Sequence, residues 1–326
     1  METQHYRRKE IHMSTFRKIA ASAATLAALT WSTGAFAASA PTKIVVADAK
    51  TTHHLNLYVA QEKGYFAKRK LDVEIVDVVD LAAARDLLVS GKADVFWACP
   101  TAAIAAIANG APIQIISQVK KPCTSVLVVS PDSPIKEWTD LKDKRIAGIS
   151  PTCEAVISIT KQARKANSPF ALEKLAGGPA IAALEAKAVD GAILEEPHVS
   201  IAELKGYKIL FPNASASIPC RTINARTAFI KENTAALKAF IEAIAEANKF
   251  ILAAPAGDEV VAIAAKYTGA PADAIRHGNH RLKFQTKLEV AGLSDLADDL
   301  VAQGSIKENP GLSLYAPEFK GITWGK

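Results

Sequence analysis

The sequence predicts an α/β protein built as two lobes, and three observations predict it. Residues 43–117 alternate short apolar runs with helix-patterned stretches, punctuated by Gly64, Gly91 and Gly110, which is the order a parallel α/β block requires. A fainter copy returns later: Leu88, Ser90-Gly91, Ala93-Asp94-Val95 and Pro100 are echoed by Leu184, Val189-Asp190-Gly191 and Pro197. Finally, some 290 residues beyond an N-terminal leader exceed what one core comfortably organises, so two domains are expected.

Residues 1–37 form that leader. Arg17 and Lys18 precede a short apolar stretch over 19–31, and Ala35-Phe36-Ala37 supplies the small-x-small site of a secretory signal. The apolar stretch is shorter than the roughly 20 residues of a membrane span, so release into the periplasm is expected, without membrane insertion after cleavage. Met13 opens a more ordinary signal than Met1 does. Without residues 1–37, 34 Lys/Arg face 31 Asp/Glu. No basic stripe with interleaved aromatics is present, which argues against nucleic acid as a partner.

Residues 43–48 read as a strand buried on both faces, because they hold the continuous apolar run 44–47. His53 and His54 fall in the loop after it. A helix over 56–63 stops at Gly64, which tolerates the left-handed conformation of a C-terminal cap. A strand over 72–79, a helix over 82–90, a strand over 94–98, a helix over 101–109 and a strand over 113–117 follow. Residues 124–129 and 222–229 read as two strands that cross between the lobes. This gives a first lobe of 41–126, a second lobe of 127–221, and a return over 222–326 that carries the C-terminal helices across the back of the first lobe. Within the second lobe, a strand over 145–149 leads through Pro151-Thr152-Cys153-Glu154 into a helix over 155–166. A long amphipathic helix over 231–253 has Leu237, Phe240, Ile241 and Ile244 on one side.

Several of these segments resemble the solute-binding proteins of bacterial ABC importers, within the branch serving nitrate, taurine, alkanesulfonates and thiamine-type pyrimidines. The resemblance rests on Gly64-Tyr65-Phe66 with Leu71-Asp72-Val73-Glu74, on Ser90-Gly91-Lys92-Ala93-Asp94, and on Ala108-Asn109-Gly110-Ala111-Pro112. It extends through Asp140-Leu141-Lys142-Asp143-Lys144-Arg145, where Asp143 stands in place of the usual Gly, to Val189-Asp190-Gly191 and Glu196-Pro197. It covers roughly residues 42–250. The resemblance implies a type II periplasmic-binding fold, capture of a small polar solute in the interlobe cleft, delivery to a membrane permease, no cofactor and no catalysis. The rival it leaves is an enzyme on the same fold, of the pyrimidine-precursor synthase or menaquinone-pathway lyase kind. No GxSxG elbow, HExxH motif or phosphate-binding loop is present to support that rival.

Ligands of open α/β folds bind at the C-terminal edges of the strands. That rule selects His53, His54, Cys99, Thr101, Thr152, Cys153 and Glu196 as solute-binding candidates, with Glu154 and His198 beside them. Thr152 and Thr101 sit where helix N-termini offer unpaired amides and positive potential, and Thr152 also reads as an N-cap. Cys99 and Cys153 are expected to face the cleft from opposite lobes as free thiols, because a bond between them would clamp the hinge. Cys123 and Cys220 each follow a proline at the start of a crossing strand. Three pairings of four cysteines are open, and a Cys123–Cys220 disulfide is among them. The same histidines, thiols and carboxylates form a donor set for a soft metal or metal complex, a second alternative whose spacing names no metal. Arg276, His277, His280 and Arg281 read as a solvated helix face, and Trp97 and Trp138 as packing residues.

Overall fold

The computed structural model describes residues 40–78 and 81–325; the leader read over 1–37 and the last residue of the strand expected over 72–79 lie outside them. The fold is α/β, with two five-stranded mixed sheets in two lobes. In the first, β1 (Thr42–Asp48), β2 (Leu71–Asp77), β3 (Val95–Ala98) and β4 (Ile113–Lys120) are joined by β10 (Cys220–Arg226), in the order β2-β1-β3-β10-β4. The second holds β5 (Val126–Val129), β6 (Arg145–Gly148), β7 (Ala171–Lys174), β8 (Gly191–Leu194) and β9 (Lys208–Leu210), in the order β7-β6-β8-β5-β9.

The two sheets share one plan. β1, β2 and β3 run parallel, and β10 enters antiparallel between β3 and β4. In the second sheet β6, β7 and β8 run parallel, and β5 enters antiparallel between β8 and β9. The sequence echo is therefore β3 against β8, each followed within three residues by a proline.

The chain passes between the sheets twice, through 121–125 and 211–219. The strands expected at 124–129 and 222–229 begin where each pass ends. Val126–Val129 lies wholly in the second sheet and Cys220–Arg226 wholly in the first, while 227–229 opens a helix. Pro122, Pro212 and Pro219 have no amide N–H to give a ladder, so the passes themselves are not strand.

Helices cover both faces of each sheet, as strands with such apolar runs require. Helices α1 (Leu55–Glu62), α7 (Thr227–Glu232), α8 (Thr234–Ala253) and α9 (Asp258–Thr268) line one core of the first sheet. Helices α2 (Leu81–Val89), α3 (Pro100–Ala108) and α11 (Val290–Ala302) line its other core. Helix α4 (Glu154–Lys165) packs on one face of the second sheet, and α5 (Gly177–Glu185) and α6 (His198–Leu204) on the other. Gly64 takes φ +67° just beyond α1, the left-handed turn expected there.

The C-terminal part also reaches the second lobe: helix α10 (Ala272–Gly278) packs against α9, with Ile275 in the first lobe's core, and against α6 of the second lobe. Among the described residues no helix is long and apolar enough to cross a membrane.

Candidate functional site

Antiparallel insertion of β10 decides what meets at the cleft. Thr222 pairs with Ala98 and Cys220 with Lys120, so β10 starts at the edge where β3 and β4 end. Cys99, Lys120, Cys220 and Arg221 are thereby gathered with the loop after β1. Across from them stand the loops after β6 and β8 of the second lobe.

Arg221 is the hub of this junction. Its backbone takes φ +59° and its side chain is 2% exposed. The guanidinium donates to Cys99 Sγ (2.6 Å) and to Glu195 Oε2 (2.5 Å), and it lies 3.7 Å from Glu154 Oε1. Burial alone would disfavour its charge, but Cys99, Glu195, Cys220 and Glu154 outweigh burial and hold the group well above its ordinary value. Lys120, also fully buried, donates to Thr124 Oγ1 (3.2 Å) and the Pro122 carbonyl (3.4 Å).

His53 lies fully buried between these cations and Glu195, its Nδ1 3.6 Å from Glu195 Oε2. Neither ring nitrogen has a hydrogen-bond partner, and the same holds for Thr101 Oγ1 and Arg221 Nε. Burial, then Lys120, Arg221 and His54, push the His53 pKa well below the usual histidine value. The folded protein thus refuses a proton that the unfolded chain accepts near pH 6.5, and stability falls as pH drops below about that value. His53→Gln is expected to make the loss of stability between about pH 7 and 5 shallower, read from urea midpoints across that range. An unchanged slope would place the titrating group elsewhere.

His54 is held differently. Its Nδ1 meets Asp48 Oδ1 at 2.6 Å, and Tyr58 donates to the other carboxylate oxygen at 2.7 Å, so the ring is fixed into the first lobe's core. Burial pushes the Asp48 pKa up, but the bonds from His54 and Tyr58 more than reverse it.

Cys99 and Cys153 both stand at N-cap positions, of α3 and α4. A hydrogen bond to Cys153 and burial push the Cys99 thiol well up. Thr152 is not the cap; its hydroxyl sits 2.9 Å from Ser150 Oγ. Two cavities open beside the thiols. One of ~800 Å³ runs between α2 and α3 and the 149–153 loop, and is lined by Cys99, Thr152 and Cys153. The other, of ~340 Å³, lies between the loop after β1 and the ends of β6, β7 and β8, and is lined by Thr51, Ser125, Cys153, Glu195 and His198. Ile149 and Cys153 line both, so the two are arms of one interlobe cleft.

The carboxylate after β8 that faces this cleft is Glu195. Glu196 points the other way: it is 1% exposed, accepts from Arg281 (2.5 Å) and from the Ser200 amide (3.2 Å), and touches α10 rather than the cleft. Arg281, 22% exposed, also donates to Glu203 at 2.6 Å and so leaves the solvated face, while His277, 42% exposed, stays on it 3.3 Å from the same carboxylate. Arg276, half exposed, meets Asp258. Cys123 and Cys220 carry free thiols, as do Cys99 and Cys153, and their Sγ atoms lie within 4.8 Å of each other and of a Glu154 oxygen. Glu154, 1% exposed, accepts from Cys220 (3.4 Å) and Cys153 (3.7 Å). The residues that sequence reasoning missed are Arg221 and Lys120. Lys120, beside Lys121, ends β4 and Arg221 stands near the start of β10, positions whose meeting is readable only once the strands are paired.

The family described as NMT1/THI5 like matches residues 51–257. A 4-amino-5-hydroxymethyl-2-methylpyrimidine phosphate synthase of Uromyces fabae is 35% identical over 97 residues, which are 29% of this chain and 28% of the relative. The chain thus matches well under a third of that relative's length. Among solved structures, the periplasmic aliphatic sulphonate binding protein SsuA from Escherichia coli superposes with a TM-score of 0.73 at 21% identity, covering 82% of this chain and 90% of that one. The periplasmic nitrate-binding protein NrtA from Synechocystis PCC 6803 gives 0.70 at 16% identity, covering 84% of each. The expectation of no catalysis is corrected here, because the curated relatives are named for a synthase activity.

Proposed function

We propose that this chain, which belongs to the NMT1/THI5-like family, is a receptor that closes two lobes over a small polar solute and presents it to a membrane permease. The observation that carries the reading is the ~340 Å³ cleft, built from the C-terminal strand ends of both sheets and within the size range of small-molecule sites. The lobes of this reading are the expected 41–126 with 222–326, and 127–221, shifted at the joints so that Val126 falls in the second lobe and Cys220 and Arg221 in the first; residues 1–37 direct export, and the place of action is the periplasm.

The lining favours recognition by hydrogen bonds and charge. Thr51, Ser125, Glu195 and His198 are polar, and no Phe, Tyr or Trp lines the smaller arm among the described residues. His53 and Thr101 add buried groups with unused hydrogen-bonding capacity behind it. A solute touching both lobes binds the closed form better than the open one, which shifts the hinge equilibrium.

A second reading is favoured by the curated relatives' synthase names: the captured solute is a pyrimidine or its precursor, and it is transformed. One experiment addresses both. The purified chain is screened by thermal shift against sulfonates, nitrate and pyrimidines, and the best binder is followed by small-angle scattering and mass spectrometry. The receptor reading expects a higher melting temperature, a smaller radius of gyration and capture by the permease complex. An altered product recovered with the protein would assign the second reading.

A further inference from the structure

Solute capture leaves four buried thiols unexplained. Cys99 follows β3, Cys123 lies in the first pass between lobes, Cys153 stands at the N-cap of α4, and Cys220 opens β10 at the end of the second pass. Segments distant in sequence thus bring all four to the junction of the lobes. Glu154 sits between them, with one set of ligand atoms formed by Cys123, Cys220 and Glu154 and another by Cys99, Cys153 and Glu154, each within 4.8 Å.

We propose that Cys123, Cys220 and Glu154 form a binding site for a thiophilic divalent cation of the zinc or cadmium kind. The donor set is two sulfurs and one carboxylate oxygen, the soft-plus-hard combination that such d10 ions accept. Metal–sulfur bonds near 2.3 Å place two sulfurs of a tetrahedral site roughly 3.8 Å apart, so atoms already within 4.8 Å need only a small adjustment. The Cys99–Cys153 pair is less suited, because the Arg221 guanidinium already occupies the Cys99 sulfur at 2.6 Å.

Charge supports the same choice. Formal charges on Lys120 and Arg221 oppose those on Glu154 and Glu195 at this buried junction. A divalent cation that takes two thiolates releases two protons to solvent, so the local charge is unchanged and no oxidant is needed. A Cys123–Cys220 disulfide would instead remove the thiol proton that Glu154 accepts at 3.4 Å, leaving a buried carboxylate short of a donor. A bound ion would link the two interlobe passes to the first helix of the second lobe, and so stiffen the hinge.

The test titrates the reduced full chain, with its four thiols first counted under a reductant, using Cd²⁺ alone and then Co²⁺ alone. The expected result is a thiolate-to-metal absorption band that saturates at one ion per chain, with a raised melting temperature. Cys123→Ser and Cys220→Ala are each expected to weaken binding by about 10–100-fold or more, and Glu154→Gln to weaken it while the protein keeps a native far-ultraviolet dichroism spectrum. Cys99→Ser is expected to leave the band in place. Absence of a band in the wild-type chain overturns the proposal without reference to any variant's folding. A band lost in Cys99→Ser but kept in Cys123→Ser overturns the assignment as well. Because the readout is metal absorption with no solute present, failure here is distinct from failure of the receptor reading.

Discussion

Arg221→Met is expected to destabilise the fold by about 3–5 kcal/mol, the cost of removing one partner from a buried charge network. The guanidinium is 2% exposed and sits against Glu195, Glu154 and Cys99. Its loss leaves Glu154, itself 1% exposed, with only two thiol donors, and takes from Glu195 its cation. Methionine fills comparable space, so lost packing contributes little and the effect reports on charge. Arg221→Lys restores the charge but not the planar fork that reaches Cys99 and Glu195 together, and should recover only part of the stability. Adding Glu195→Gln to Arg221→Met should return a further part, since an unpaired carboxylate then becomes a neutral amide. The check is urea unfolding of the set at one pH. A loss below about 1 kcal/mol for Arg221→Met would mean that solvent reaches these carboxylates and that the network carries little.

The same network shows what the sequence could reveal and what it could not. β1 and β3 are legible because a strand covered on both faces needs an apolar run, and residues 44–47 supply one between Lys43 and Asp48. β10 is a central strand too, yet it reads CRTINAR, with Arg221, Thr222 and Asn224 all buried. Most of its polar groups find partners in the fold: Asn224 donates to the Thr222 and Phe96 carbonyls, and the terminal guanidinium nitrogens of Arg221 are paired, one of them from the other lobe. Local hydropathy cannot register partners 26 to 128 residues away, so the sequence reads only a strand crossing between the lobes over 222–229.

The cleft was legible to the resolution of a loop. Position after β8 draws attention to Glu195-Glu196, but a single residue of register decides which carboxylate faces the cleft. Here it is Glu195, which Arg221 and His53 approach, while Glu196 turns to α10. The two cysteine pairings by position are likewise visible in the order of the chain. Glu154 bridging them is not, because that contact exists only after α4 docks at the start of β10.

Gly278→Ala is expected to unfasten the α6–α10 contact, and its effect should overlap with that of Arg281→Met. A Cβ at Gly278 would lie 2.3 Å from Ser200 Oγ and 2.5 Å from Glu196 Cδ and Oε2, closer than any real contact. The Glu196 carboxylate cannot swing aside freely, because Arg281 and the Ser200 amide hold it. The steric cost should be roughly 1–3 kcal/mol. Arg281→Met leaves Glu196 buried without its cation; since Arg281 keeps 22% exposure and water can reach the pair, its cost should be about 2 kcal/mol, under the 3–5 of a fully buried pair. Both substitutions act on one contact, so the double variant should cost less than the two singles added together. Helix α10 follows α9 of the first lobe and grips α6 of the second, so its release should also loosen the closed arrangement. Hydrogen exchange at α6 and α10 should rise in either single variant while exchange in β1 and β3 stays protected. Strictly additive stability losses, or exchange rising evenly across both sheets, would show that the α6–α10 grip is not one unit.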